Sequence, residues 1–127
     1  MSQAIRDFEK TFESAADLTD KQFHFVKLDG DGKVELADGS NDKIIGVLQN
    51  KPDNGEAALV RFLGTTKVKC GGTVGVGAYV TTGSSDNGEA QATTTDGDVV
   101  RGIHIGQESA SDGDVTEILL TYFHHKA

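Results

Sequence analysis

Phe23-His24-Phe25-Val26-Lys27-Leu28, then Asp29-Gly30-Asp31-Gly32, then Lys33-Val34-Glu35-Leu36-Ala37 is the stretch that decides the fold class. The first run is apolar and β-prone. The second supplies Asp and Gly, which tolerate the positive φ that hairpin turns need. The third alternates, with Val34 and Leu36 on one face and Lys33 and Glu35 on the other. A hairpin follows from these residues. Further strands are expected at Ile44 to Gln49, Leu59 to Leu63, Lys67 to Cys70, Ala78 to Thr82, Val99 to Ile105 and Val115 to Phe123. Sixteen Gly and one Pro punctuate them, as in a protein of short strands and tight turns. The class is all-β: a small Gly-rich β-barrel or β-tulip-like domain.

The chain also echoes itself. Phe25-Val26, Asp42-Lys43-Ile44-Ile45-Gly46-Val47-Leu48 and Asn54-Gly55-Glu56 return as Tyr79-Val80, Val99-Val100-Arg101-Gly102-Ile103-His104-Ile105 and Asp112-Gly113-Asp114, at an offset growing from about 54 to about 58 residues. Two similar halves, 23–69 and 77–123, are therefore expected inside one β-domain spanning 21–127.

Residues 1–20 form a distinct arm. Ile5, Phe8, Phe12, Ala15 and Ala16 fall at spacings of three and four, the signature of one helix face. Ser14 to Asp17 and Thr19 to Gln22 have the spacing of capping boxes. Two readings stand open: a helix or strand docked on its own domain, or an arm packed on a neighbouring subunit. In the second, Ile5, Phe8 and Phe12 are the apolar anchors, because buried aromatics dominate interfaces.

Composition excludes several functions. The 127 residues carry 12 Lys and Arg against 20 Asp and Glu, a net charge of −8. The longest basic cluster is Lys67 with Lys69, too little for a phosphate backbone, so no nucleic-acid partner is expected. Apolar runs of about four residues fall far short of the ~20 that a spanning helix needs. The charged N-terminus shows no secretory signal, and the single Cys70 rules out an internal disulfide.

No constellation for catalysis, metal or cofactor emerges. Asp29-Gly30-Asp31-Gly32-Lys33 opens like a calcium loop, but Lys33 stands at a ligand position and Ser40 where a Glu is needed. His24, His104, His124 and His125 lack helical metal-ligand spacing, and the last two read as a solvated tail. Cys70 before Gly71-Gly72 reads as a small buried apolar residue. Ser84-Ser85 and Ser109 to Ser111 lack the strand–elbow–helix setting of a nucleophile, and Gly75-Val76-Gly77 lacks the helix of a phosphate cradle. Carboxylates such as those of Asp96-Gly97-Asp98 sit in turns, where Asp serves the backbone.

The run Ala15-Ala16-Asp17-Leu18-Thr19-Asp20-Lys21-Gln22-Phe23-His24-Phe25-Val26-Lys27-Leu28-Asp29, with Lys43 to Pro52 and Gly55-Glu56-Ala57-Ala58, resembles the small capsid cement, or head decoration, proteins of tailed bacteriophages. Val100-Arg101-Gly102-Ile103 and Asp112-Gly113-Asp114-Val115 resemble that family's closing pattern, and the likeness runs over about residues 15 to 121. Phe25 to Leu28, Lys33 to Leu36, Ile45 to Leu48 and Leu59 to Lys67 are more distantly similar to the lambda-type decoration protein. The resemblance implies a non-enzymatic virion protein, made in the host cytoplasm and placed on the outer capsid surface. It also implies a homotrimer that bridges adjacent major capsid proteins and stabilises the expanded shell against DNA pressure; Ile5, Phe8 and Phe12 are the capsid-contact residues expected for that role. The alternative is a surface- or carbohydrate-binding β-module, although such modules favour aromatic platforms and this chain has no Trp and two Tyr. The enzyme rival is a small hydrolase pairing His104 with an Asp.

Overall fold

The structure is a computed structural model that describes residues 8–39, 43–82 and 87–125. Among the described residues ten strands make two five-stranded sheets. The first holds β1 (Glu9–Glu13), β2 (Phe25–Leu28), β3 (Val34–Leu36), β4 (Ile44–Leu48) and β5 (Ala57–Arg61) in the order β1-β5-β4-β2-β3. The second holds β6 (Thr65–Lys69), β7 (Tyr79–Thr81), β8 (Gln91–Ala92), β9 (Val99–His104) and β10 (Val115–His124) in the order β6-β10-β9-β7-β8. Every ladder is antiparallel. The all-β class is as the sequence predicts.

The second sheet repeats the first in order and also in register. Val26 faces Gly46 as Val80 faces Gly102; Val47 faces Arg61 as Ile103 faces Leu119; Glu13 faces Ala57 as Lys69 faces Val115. Each sheet curls until its outer strands touch at one parallel bridge, Ser14 to Val34 and Cys70 to Ala90. The Ala15 and Gly71 N–H groups donate across those bridges, both at 2.8 Å. The form is thus two curled sheets and not one closed barrel.

The backbone explains which positions stay the same. A Cβ on Gly46 would lie 2.2 Å from the Arg61 carbonyl oxygen, and one on Gly102 would lie 2.7 Å from Ile118 Cδ1. Only glycine lets the central strand approach its neighbour so closely. The turn before the last strand of each sheet likewise needs a left-handed residue, supplied by Gly55 at φ 84° and Gly113 at φ 88°.

Helical spacing misleads at the N-terminus. Glu9–Glu13 is a strand on the edge of the first sheet, and neither capping-box pattern starts a helix. Residues 8 and 12 are separated by four, which suits one helix face but also one strand face of period two. Pairing with β5 selects the strand. Ser14 Oγ donates to the Ala16 carbonyl, and Asp17 accepts from Thr19, so both serve local turns.

Two apolar clusters fill the interior. Val26, Val34, Leu48, Ala58 and Val60 of the first sheet close on Leu18, with Phe12 partly buried against them. The other cluster takes Val68, Cys70, Val74, Val80, Ala90, Ala110 and Ile118 from the second half. It also takes Phe25, Ala37, Ile44 and Val47 from the first. Because strand side chains alternate, Phe25 and Val47 lie on the opposite face of the first sheet from Val26 and Leu48. One face of that sheet therefore covers its own core and the other docks on the second half.

Candidate interaction surfaces

The three residues expected as apolar anchors have different fates. Ile5 lies outside the described residues. Phe12 packs inward against the first cluster, with Lys10 Nζ 5.4 Å from its ring centroid, and so is engaged by its own domain. Phe8 is 48% exposed at the outer end of β1. Its carbonyl accepts from the Phe62 N–H at 2.9 Å, which sets the two aromatic residues opposite each other across the strand pair. Phe62 and the adjoining Leu63 are exposed as well. The sequence reading missed both, although a Phe-Leu pair immediately before the turn residue Gly64 has no interior strand to serve. Phe8 and Phe62, with the exposed Leu63 next in the chain, form an apolar corner at the outer end of β1.

That corner stands on a tied edge. Arg61 Nε and Nη2 reach Glu9 Oε2 at 2.8 and 2.5 Å, and Lys33 Nζ lies 3.2 Å from Glu13 Oε2. The carboxylate of Glu13, and to a lesser degree those of Asp29 and Asp31, holds the Lys33 ammonium above its ordinary pKa. Asp29 Oδ1 accepts from the Asp31 and Lys33 N–H groups at 2.8 and 2.9 Å, so the Asp-Gly turn serves the β2–β3 hairpin.

A second surface lies on β7, β9 and β10. The register aligns Tyr79 with Ile103 and Ile103 with Leu119, in one row across three strands. Tyr79 and Leu119 are 39% and 41% exposed, and Ile105 and Val115 on the same face are exposed too. Phe123 meets the Tyr79 ring edge-on at 5.2 Å and His125 meets it at 5.8 Å. His125 is therefore no solvated tail: its N–H donates to the Asp98 carbonyl at 2.7 Å, and its own carbonyl accepts from the Gly97 N–H at 2.8 Å.

The other singled-out residues are not brought together. His24 sits against the Gln22 carbonyl near the junction of the halves, and its burial, opposed by the bond to Gln22 and by Glu89 and aided by Lys21 and Lys69, lowers its pKa. His104 lies within the second half, between the Gly75 carbonyl at 2.9 Å and Thr116 Oγ1 at 2.7 Å. Cys70 is buried, and desolvation together with Asp114, Glu89 and Asp112 pushes its thiol up to about 11, away from nucleophilic reactivity. Ser84-Ser85 lies outside the described residues. Arg101 is buried over the Tyr122 ring, 4.5 Å from its centroid, and donates to the Ile44 carbonyl across the junction.

What these surfaces belong to is a two-sheet all-β domain with apolar patches at its outer corner and on its last sheet. No protein-family model and no curated protein sequence matches the chain. Among solved structures, it is similar to the crystal structure of the N base of the head fiber protein gp8.5 of bacteriophage phi29. The TM-score is 0.67 at 19% sequence identity, over 92% of this chain and 98% of that one. The two share a fold across nearly their whole lengths.

Proposed function

We propose that this chain is a bacteriophage head accessory protein that binds the outer surface of the expanded capsid, bridges adjacent major capsid proteins and stabilises the shell without catalysing a reaction. The observation that carries this reading is the near end-to-end likeness of fold to the base of a phage head fiber. The cement-protein resemblance of residues 15 to 121 points the same way. Multivalent attachment suits such a role, because two linked sites raise avidity by ~10²–10⁴ without new chemistry. The apolar corner of Phe8, Phe62 and Leu63 is the capsid contact in this reading, with Ile5 and the rest of the N-terminal segment extending it. A trimer at three-fold positions is the assembly that the resemblance implies.

Co-sedimentation tests it. Purified protein should pellet with expanded empty shells and raise their melting temperature, and deletion of residues 2–7 with Phe62→Ser should weaken the binding. Failure to bind expanded shells would sink the reading, as would unchanged shell melting at full occupancy.

A further inference from the structure

We infer that the apolar row Tyr79–Ile103–Leu119 is a docking face for a second copy of this chain, joined head to tail through the first half of that copy. The inference assigns two faces to the self-association that the proposed function includes, and it is tested separately from capsid binding.

The chain's own internal junction supplies the argument. The row of the first sheet that corresponds to Tyr79–Ile103–Leu119 is Phe25–Val47–Arg61. Phe25 and Val47 are fully buried, because the second half sits on them. Two backbone bonds fix that contact: the Phe23 carbonyl accepts from the Lys69 N–H at 2.9 Å, and the Phe25 N–H donates to the Gly88 carbonyl at 2.7 Å. Lys69 and Glu89 flank the contact as an ion pair of 3.7 Å. The second half presents the same face, with Gly77 and Tyr79 where the first has Phe23 and Phe25, and there Tyr79 and Leu119 remain 39% and 41% exposed.

The first half also carries the matching receptor. Glu13 occupies the place of Lys69, Gly32 that of Gly88, and Lys33 that of Glu89. The flanking ion pair is present again with its signs exchanged, Lys33 to Glu13 at 3.2 Å. Glu13 and Gly32 are exposed. The Ser14 N–H bonds to Glu56 and the Phe8 carbonyl accepts from Phe62, so even-numbered residues of β1 face β5. Alternation turns the backbone groups of Glu13 toward the outer edge, as those of Lys69 are turned. Gly77 C=O and Tyr79 N–H of one copy thus meet Glu13 N–H and Gly32 C=O of the next, while Tyr79 and Ile103 take the places of the buried Phe25 and Val47.

Such a contact is heterologous: it uses two different patches and leaves one of each open in a dimer. Two variants separate it from other modes. Tyr79→Glu places a charge on the donor face at an exposed position, where the first half buries Phe25. Glu13→Pro removes the outward N–H of an edge strand, a position that tolerates proline. Analytical ultracentrifugation across the micromolar to millimolar range should show wild-type protein at twice the 13.4 kDa chain mass or more. Each variant alone should remain at the chain mass, with melting curves showing that both are folded. An equimolar mixture should give a 1:1 dimer and stop, because one intact donor face meets one intact receptor. A wild-type monomer throughout the range overturns the contact. So does unaltered assembly of either folded variant, or a mixture that stays monomeric while wild type assembles. A monomer that still pellets with shells removes this contact alone, whereas an assembling protein that ignores shells removes the capsid reading alone.

Discussion

Glu9–Arg61 and Thr65–His124 are laid on the same register, yet their side chains differ at almost every buried equivalent. Leu48 corresponds to His104, Ala58 to Thr116, Ser14 to Cys70, Phe23 to Gly77 and Phe25 to Tyr79. What both halves keep is set by the backbone: a glycine in the central strand, a left-handed glycine before the last strand, and one parallel bridge between sheet edges. What they exchange is set by neighbours. The first half needs an apolar outer face because the second half covers it, and Phe23 accepts a left-handed φ of 67° to put its ring into that junction. Gly77, at the same place in the second half, has φ 78° and no ring to place. Repetition of a fold thus tolerates wide changes in packing chemistry while the strand spacing holds.

The sharpest way to break the comparison is to add one methyl group to each central glycine. Gly46→Ala drives its Cβ into a carbonyl oxygen of the neighbouring strand, which cannot move without the ladder. Gly102→Ala meets a side-chain methyl and two looser neighbours. Gly46→Ala should cost about 3 kcal/mol or more and Gly102→Ala about 1–2 kcal/mol, read from urea midpoints. Equal costs would mean that the two central strands are not constrained as their contacts indicate.

A smaller effect is expected from making the second core resemble the first. His104→Leu leaves the Gly75 carbonyl and Thr116 hydroxyl without the ring that bridges them, a loss of about 1–3 kcal/mol. Adding Thr116→Ala installs the Leu48 and Ala58 combination of the first half. The double variant should be more stable than His104→Leu alone, with a coupling of at least ~0.5 kcal/mol in denaturant unfolding. Strict additivity would show that His104 and Thr116 act independently.

Much of this fold was legible because it is written in short-range signals. The Asp-Gly turn after Leu28, the alternation of Val34 and Leu36, and the Gly46 and Gly102 echo each report local geometry. β1 was not, because Phe8 and Phe12 satisfy two periodicities and only the long-range partner Ala57–Arg61 decides between them. β8 is two residues, Gln91 and Ala92, too short for alternation to show. The surfaces were harder still. Phe12 and Phe8 look alike in sequence, but one faces the core and the other lies at the strand's end. The exposure of Tyr79 and Leu119 depends on which half is stacked on which, a fact of tertiary packing that no local pattern encodes.

Acidification sharpens the comparison at the junction, where His24 stands at the position of Ala78. Burial lowers its pKa from 6.5, against the bond to the Gln22 carbonyl and the charge of Glu89, with Lys21 and Lys69 acting in the same direction as burial. The unfolded chain therefore binds the proton more readily. The stability linked to neutral His24 is fully present above the unfolded value and is lost as pH falls through the lowered folded one. Between neutral pH and about pH 5, wild-type protein should lose more of its urea midpoint than His24→Ala does. Parallel losses would show that other groups carry the acid sensitivity.

The smallest change expected is at Cys70. In the first half its counterpart Ser14 is equally buried, and Ser14 Oγ donates at 2.7 Å to the Ala16 carbonyl two residues on. The backbone around Cys70 repeats that setting: the Cys70 N–H donates to Asp114 as the Ser14 N–H does to Glu56, and Gly72 takes the place of Ala16. A hydroxyl introduced by Cys70→Ser therefore finds an acceptor in the Gly72 carbonyl, which offsets the cost of burying it. The exchange should shift stability by less than ~1 kcal/mol, whereas Cys70→Val, branched at Cβ beside a bridge, should cost more. If Cys70→Ser were the worse of the two, the thiol would be held by packing that the first half lacks, and the likeness of the halves would end at their backbones.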